Sequence, residues 1–391
     1  MSVGIDPVKR FQVGLERIRG NPNPTATKLP ITEVTLNPNE NYFTPYGMNR
    51  RYASKNFGRT VYLELPNCPH RCWWCYVDPR NLGGDVYSEM AREIRRKAAE
   101  NGDLPWRLVE DPRINIEDTF EHYSKLYDKS QFDALCMGSS EPLGFLPQIA
   151  AYSELVKQHG IPYIIGIDST GFQLAHNPKL VDRLEGLEDI VHFVIATFKG
   201  RNPTEHHRVT TSLGGYNWDA GIQAQDILLR KGFWTIPAGI TLNTFAHPND
   251  ETFEVVASMD PKFVKDGKFT NRYREFLADK TAEWLHDQLS LIHPDYPRLL
   301  HFNKLTYGRV KAPKYQIQRK KAAGFENCKP SVFEEALKRV FERRGTPIIE
   351  YTKKQYSTSH PQYIEVMRQV IDDKAGTRKS QQLTTIEGLD L

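Results

Sequence analysis

From Arg59 onward the chain alternates short β-branched and aromatic runs with longer segments of helical period, and this limits it to a few architectures. Thr60 to Leu65 (TVYLEL), stopped by Pro66, predicts the first strand. Ser88 to Glu100 predicts a helix, with Ser88 as N-cap and Asn101-Gly102 at its end. A second helix spans Asn115 to Lys129, and Phe132 to Met137 makes the next strand. Pro147 to His159 is helical, with a proline in its first turn and Gly160 beyond its end. Strand Tyr163 to Ile167, helix Lys179 to Leu187 and strand Ile190 to Ala196 follow. Helix Trp218 to Arg230, strand Phe233 to Leu242, helix Arg272 to Leu289 and a sixth strand at Leu299 to Leu305 complete the series. Six strands with helices between them imply an α/β fold with right-handed crossovers, its parallel sheet open or rolled into a partial barrel.

Residues 1–58 are rich in Asn and Pro and predict an irregular leader. Residues 59–310 carry the α/β core. Residues 311–391 form a basic C-terminal extension of mixed α/β character: helix Ser331 to Arg344, strand Ile348 to Tyr351 and helix Pro361 to Asp373. The extension holds 16 Lys or Arg against 10 Asp or Glu, whereas the whole chain of 391 residues is only +4. That excess reads either as a solvated helical surface or as a docking face for a protein or nucleic-acid substrate. No apolar run reaches membrane-spanning length, and Met1 to Arg10 lacks the apolar core of a secretory signal. The expectation is a cytoplasmic enzyme with no membrane partner.

Ligands of parallel α/β sheets gather at the C-terminal ends of the strands, so the loops there are where chemistry is sought. The loop after the first strand reads Cys68-Pro-His-Arg-Cys72-Trp-Trp-Cys75 and contains three of the chain's five cysteines. Thiolates are soft ligands for iron–sulfur clusters and zinc, and a short loop can turn three of them toward one centre. Structural zinc wants four closed ligands, and electron-transfer clusters are normally held by four cysteines. No fourth cysteine stands nearby, and His70 sits awkwardly between two ligands. A zinc site and a simple electron carrier are the bland alternatives. A cubane on three cysteines leaves one iron open to a further ligand.

This C-x3-C-x2-C spacing after the first strand of an α/β repeat resembles the radical S-adenosylmethionine (SAM) superfamily. The resemblance implies a 4Fe-4S cluster on Cys68, Cys72 and Cys75, with SAM as second cofactor and Trp74 packed near the adenine. Gly138-Ser139-Ser140-Glu141-Pro142 is similar to the family's Gly-Gly-Glu motif, with serines where glycines are usual. By that resemblance Ser139, Ser140 and Glu141 hold the SAM ammonium. Asp168-Ser169-Thr170-Gly171-Phe172 looks like the third strand end of glycyl-radical-enzyme activases, implying that Asp168 and Ser169 reach SAM. Ala196-Thr197-Phe198-Lys199 resembles their fourth, with Thr197 replacing an acid and Lys199 able to pair with the SAM carboxylate. His301 to Gly308 resembles their late segment faintly.

The implied activity is reductive cleavage of SAM to a 5′-deoxyadenosyl radical that abstracts hydrogen from a substrate. The electron comes from a reductant such as flavodoxin or ferredoxin. Activation of a glycyl radical enzyme and modification of RNA, a peptide or a small molecule all remain open. Cys136, inside an apolar strand, reads as a small buried hydrophobe, and Cys328 as structural. His206-His207 reads as a surface pair.

Overall fold

The computed structural model describes residues 41–54, 56–66, 86–138, 141–196, 206, 219–239, 253–302, 330–350 and 355–376. The short strand β1 (Tyr42–Phe43) is followed by β2 (Arg51–Ser54) and β3 (Gly58–Glu64). Helices α1 (Glu89–Glu100) and α2 (Arg107–Glu110) come next, then β4 (Ile114–Asn115), which pairs antiparallel with β1. Ser88 caps α1 by accepting from the Ala91 amide at 3.2 Å, the hydroxyl N-cap that the sequence announces. Asn115 does the same for α3 (Ile116–Ser130), accepting from the Asp118 amide at 2.6 Å. After β5 (Ala134–Gly138) come α4 (Leu146–Gln158), β6 (Ile164–Ser169), the short α5 (Phe172–His176) and β7 (Val191–Ala196). Then α6 (Ala220–Arg230), β8 (Thr235–Gly239), α7 (Phe253–Met259) and the hairpin of β9 (Val264–Lys265) and β10 (Lys268–Phe269) lead into α8 (Asn271–Ile292). Strand β11 (His301–Phe302), α9 (Pro330–Arg343) and α10 (Pro361–Ala375) end the described chain.

The main sheet has seven strands in the order β11-β8-β7-β6-β5-β3-β2. Six of them run parallel in sequence order, and β2 adds an antiparallel edge. The parallel strands curl into a half-barrel. Alternation along each strand sorts side chains to two faces. Val61, Leu63, Leu135, Met137, Ile165, Ile167, Phe193 and Ile195 share a core with residues of α3 and α4, which makes that face the outside. The opposite face is concave, and register aligns it in layers. Tyr62, Cys136, Gly166 and His192 stand side by side in one layer. Glu64, Gly138, Asp168, Val194 and Ile236 start one at β3's C-terminal end.

The N-terminal end of this lumen is closed. Phe57 lies across Gly166, where a Cβ would come within 2.6 Å of the phenylalanine ring. His192 stacks on Trp234 at 5.4 Å between centroids, and Trp234 stacks on Tyr363 of α10 at 6.1 Å. Tyr363 donates to the Leu299 carbonyl at 3.0 Å, and Thr358 donates through its amide and its hydroxyl to the Asn56 carbonyl. Helices α9 and α10 therefore share one hydrophobic core with the concave face.

Three expectations change. The helix expected over Lys179 to Leu187 is a 3-10 helix at Pro178–Leu184. Of the strand expected at Ile348 to Tyr351, residues 348–350 are irregular, so the described C-terminal extension is helical and not mixed α/β. Pro347 follows the Gly345 turn and offers no amide to a ladder, and the Ile349 amide goes singly to the Arg298 carbonyl at 3.0 Å. His206 is buried, at 4% exposure, and is not half of a surface pair. Among the described residues no helix is long and apolar enough to cross a membrane.

Candidate functional site

The C-terminal ends of β3, β5 and β6 meet in register. The Leu65 amide donates to the Gly138 carbonyl at 3.0 Å, tying the strand end that precedes the cysteine run to the strand end that precedes Glu141. Glu141 is only 1% exposed, and its carboxylate turns to the end of β6. Its Oε1 accepts from the Ser169 hydroxyl at 2.6 Å. Its Oε2 accepts from the Thr170 amide at 3.0 Å and from the Thr170 hydroxyl. Ser169 Oγ in turn accepts from the Gly171 amide at 2.9 Å, and Thr170 Oγ1 from the Phe172 amide at 3.4 Å. Gly171 has φ +74°, and a Cβ there would meet the Ala224 Cβ at 2.5 Å, so this turn packs backbone-close on α6. Glu141 thus acts as a latch between two strand-end loops.

Asp168 points the other way, into the concave face. Tyr62 donates to its Oδ2 at 3.0 Å, and the Cys136 thiol also hydrogen-bonds to it. Asp168 is partly exposed. Burial nevertheless raises its carboxyl to about 6, opposed by the hydrogen bonds from Tyr62 and Cys136. Burial also pushes the Cys136 thiol well up, so it stays protonated. Gly138 makes room for this arrangement: a Cβ there would come 3.0 Å from the Asp168 Cβ. The other carboxylate in this layer, Glu64, pairs with Arg50 at 2.7 Å.

Neighbouring residues of one motif are therefore divided by the strand's two-residue period. Ser169 and Glu141 meet in the latch, while Asp168 joins Tyr62 and Cys136. Tyr62 and Thr170 are the residues that motif reading missed. The signal for Tyr62 was present in TVYLEL, where Thr60, Tyr62 and Glu64 alternate with Val61 and Leu63. Cys68, Cys72, Trp74, Cys75, Ser139, Ser140, Thr197 and Lys199 lie outside the described residues, as do Cys328 and the segment after Phe302 that resembles the activases. Among the described residues no group of three or more His, Cys, Asp or Glu could hold a metal ion.

The basic excess of the C-terminal extension is also redistributed. The described part, 330–350 and 355–376, has six Lys or Arg against seven Asp or Glu. Arg339, Arg343 and Arg344 pair with Asp279, Glu283 and Asp287 of α8, Lys338 with Glu350, and Lys374 with Asp226. The surplus lies in 311–329 and 351–354, outside the described residues.

No protein-family model matches the chain, and no curated protein matches it.

Proposed function

We propose that the chain is a radical SAM enzyme built on a partial (β/α)6 barrel. In this reading Cys68, Cys72 and Cys75 hold a 4Fe-4S cluster. The observation that carries the reading is positional. The C-x3-C-x2-C run follows β3, the first of six parallel strands arranged in sequence order, and leaves the sheet at its C-terminal end. Three peptide units separate Leu65 from Cys68, a reach of at most about 11 Å. The donor set fits the group, since three thiolates within eight residues leave one iron for a ligand that is not protein. When bound, the cluster supplies the electron that cleaves SAM to methionine and a 5′-deoxyadenosyl radical.

The chain's own residues have narrower tasks. Glu141, Ser169 and Thr170 fix the loops where backbone carbonyls of Ser139 and Ser140 would meet the SAM ammonium. Trp74 would pack near the adenine, and Lys199 would pair with the SAM carboxylate. Phe57, His192, Trp234 and Tyr363 close the far end of the lumen against water, which protects a radical from quenching. Flavodoxin or ferredoxin would supply the electron. The Asp168 to Phe172 strand end supports activation of a glycyl radical partner within this class.

Anaerobic reconstitution tests the reading. The protein should turn brown with iron and sulfide and, once reduced, release 5′-deoxyadenosine from SAM. A colourless protein that retains zinc would overturn it.

A further inference from the structure

The hairpin ahead of α8 has no part in the site described above. Its turn is Asp266-Gly267, at φ +51° and +64°, the pair of positive φ that a type I′ turn requires. Val264 and Phe269 face each other across the ladder and pack with Phe263, Tyr273 and Leu277. Lys265 and Lys268 are the next opposed pair, and the two-residue period turns them to the other, exposed face. Like charges directly opposite in a ladder are unfavourable. Among the described residues no carboxylate forms an ion pair with Lys262, Lys265 or Lys268, and Asp260 is taken by Arg272 at 3.1 Å. The hairpin is fixed to α8 through Thr270. Its amide donates to the Phe263 carbonyl at 2.8 Å, and its hydroxyl caps the helix by accepting from the Tyr273 amide at 3.4 Å.

Topology sets where this charge stands. Helix α8 is the crossover from β8 to β11 and runs back against the strands. Just past its C-terminus, Tyr296 donates to the carbonyl of Thr235, the first residue of β8, at 2.9 Å. With 22 residues α8 is about 33 Å long, against about 17 Å for the five residues of β8. Ala278, Ala282, Leu285, Leu289 and Ile292 share the main core, but Tyr273 and Leu277 pack in a separate cluster with the hairpin. The hairpin therefore overhangs the C-terminal ends of the strands, the end at which the cysteine run leaves the sheet. Strand β11 ends there as well, and the sequence that follows it, 303–329, holds eight Lys or Arg against one acid, Glu326.

We propose that the β9–β10 hairpin is a docking element for the phosphodiester backbone of a nucleic acid, held by Lys262, Lys265 and Lys268 at the strand-end side of the barrel. The tip, Lys265-Asp-Gly-Lys268, offers charge and no apolar side chain. Phosphate contacts need only that, whereas a protein partner is anchored by aromatic and apolar groups. The strand-end resemblance concerns how SAM is held; the hairpin concerns what is brought to that end, and there it favours nucleic acid. The docking rests on charge and topology and not on the radical SAM reading. Nucleic acid as the substrate class of such an enzyme rests on both.

The probe is a fluorescein-labelled oligouridylate, with fluorescein-labelled polyglutamate as the acidic-protein counterpart. Binding to the full chain is followed by fluorescence anisotropy from about 50 to 200 mM KCl. Wild type should bind the RNA, and more tightly than polyglutamate. In Lys265→Thr/Lys268→Thr, which keeps strand propensity, affinity should fall about 10-fold and the log–log salt slope by about 1.4, the share of two phosphates on a single strand. Oligoadenylate should show the same loss, because backbone contacts carry no sequence information. Thermal stability should hold or rise, since an opposed like-charge pair is removed. Lys265→Arg/Lys268→Arg should retain binding. Lys265→Gln/Lys268→Gln repeats the test if the threonine variant does not fold. Lys179→Thr/Arg183→Thr, two exposed cations on the outer 3-10 helix, removes the same net charge and should leave binding near wild type. Wild type that does not bind the RNA, or that binds polyglutamate as tightly, overturns the proposal. So does a folded hairpin variant that binds like wild type, or a loss as large in the Lys179/Arg183 control. Failure of the radical SAM reading is seen separately, as the absence of cluster absorbance in reconstituted wild type, whatever the RNA binding.

Discussion

Replacing Glu141 separates its role as a latch from a role as a bare charge. Three donors converge on this carboxylate: the Ser169 hydroxyl, the Thr170 amide and the Thr170 hydroxyl. Glu141→Ala removes all three bonds. The two hydroxyls can rotate toward other acceptors, but the Thr170 amide cannot, and a buried unpaired donor costs about 1–3 kcal/mol. The void left by the side chain adds to this, so the expected loss is about 2–4 kcal/mol. Glu141→Gln behaves differently. Its carbonyl oxygen can take the Oε2 position and keep both Thr170 bonds, while its NH2 donates to Ser169 Oγ. The charge assistance and the acceptor for the Ser169 hydroxyl proton are lost, a cost of about 1–2 kcal/mol. Urea unfolding of the full chain measures both. If Gln destabilises as much as Ala, or if Ala costs less than about 0.5 kcal/mol, the latch is not what these bonds provide.

Two further outcomes follow from the closed end of the lumen. His192, held by burial at about 3 against an ordinary 6.5, is neutral in the folded chain. Unfolding lets it take a proton, so stability is lost as pH falls below 6.5, by up to about 3 kcal/mol at pH 4. His192→Phe should flatten that limb in urea melts between pH 7 and 4, and an unchanged slope would contradict the assignment. A chain ending at Lys354 lacks α10, whose Tyr363, Val366, Met367, Val370 and Ile371 are all buried. At about 1.5–3 kcal/mol for each such side chain, the loss rivals a domain's whole stability of roughly 5–15 kcal/mol. That truncation should show no cooperative unfolding by circular dichroism, and a cooperative transition would mean that the core does not need α10.

The half-barrel was legible because its strands carry period-2 or continuous apolar runs and its helices announce their caps. Ser88, Asn101-Gly102 and Pro147 each mark an end of a helix that the structure contains. The edge strand β2 was not legible: Arg51-Tyr-Ala-Ser54 has no apolar alternation, and it pairs because β3 lies beside it. The packing of the C-terminal extension was not legible because sequence distance hides it. Thr358 and Asn56, 302 residues apart, are hydrogen-bonded at the bottom of the barrel. At the site, the motif residues were visible one by one, but their division between latch and lumen depends on which way each faces along β6. Period-2 reasoning sets Ser169 opposite Asp168; it does not say that Glu141 crosses to meet Ser169.

The central claim rests on three cysteines, and iron stoichiometry tests it most directly. Wild type, Cys68→Ala, Cys72→Ala, Cys75→Ala and Cys136→Ala are reconstituted anaerobically, with iron per chain and 5′-deoxyadenosine release measured on each. The account predicts about four irons per chain and SAM cleavage in wild type. It predicts loss of both in each of the first three variants. Cys136→Ala, whose thiol is fully buried in β5, should retain the wild-type iron content. Full cluster assembly without Cys68, Cys72 or Cys75, or assembly that requires Cys136, would contradict it.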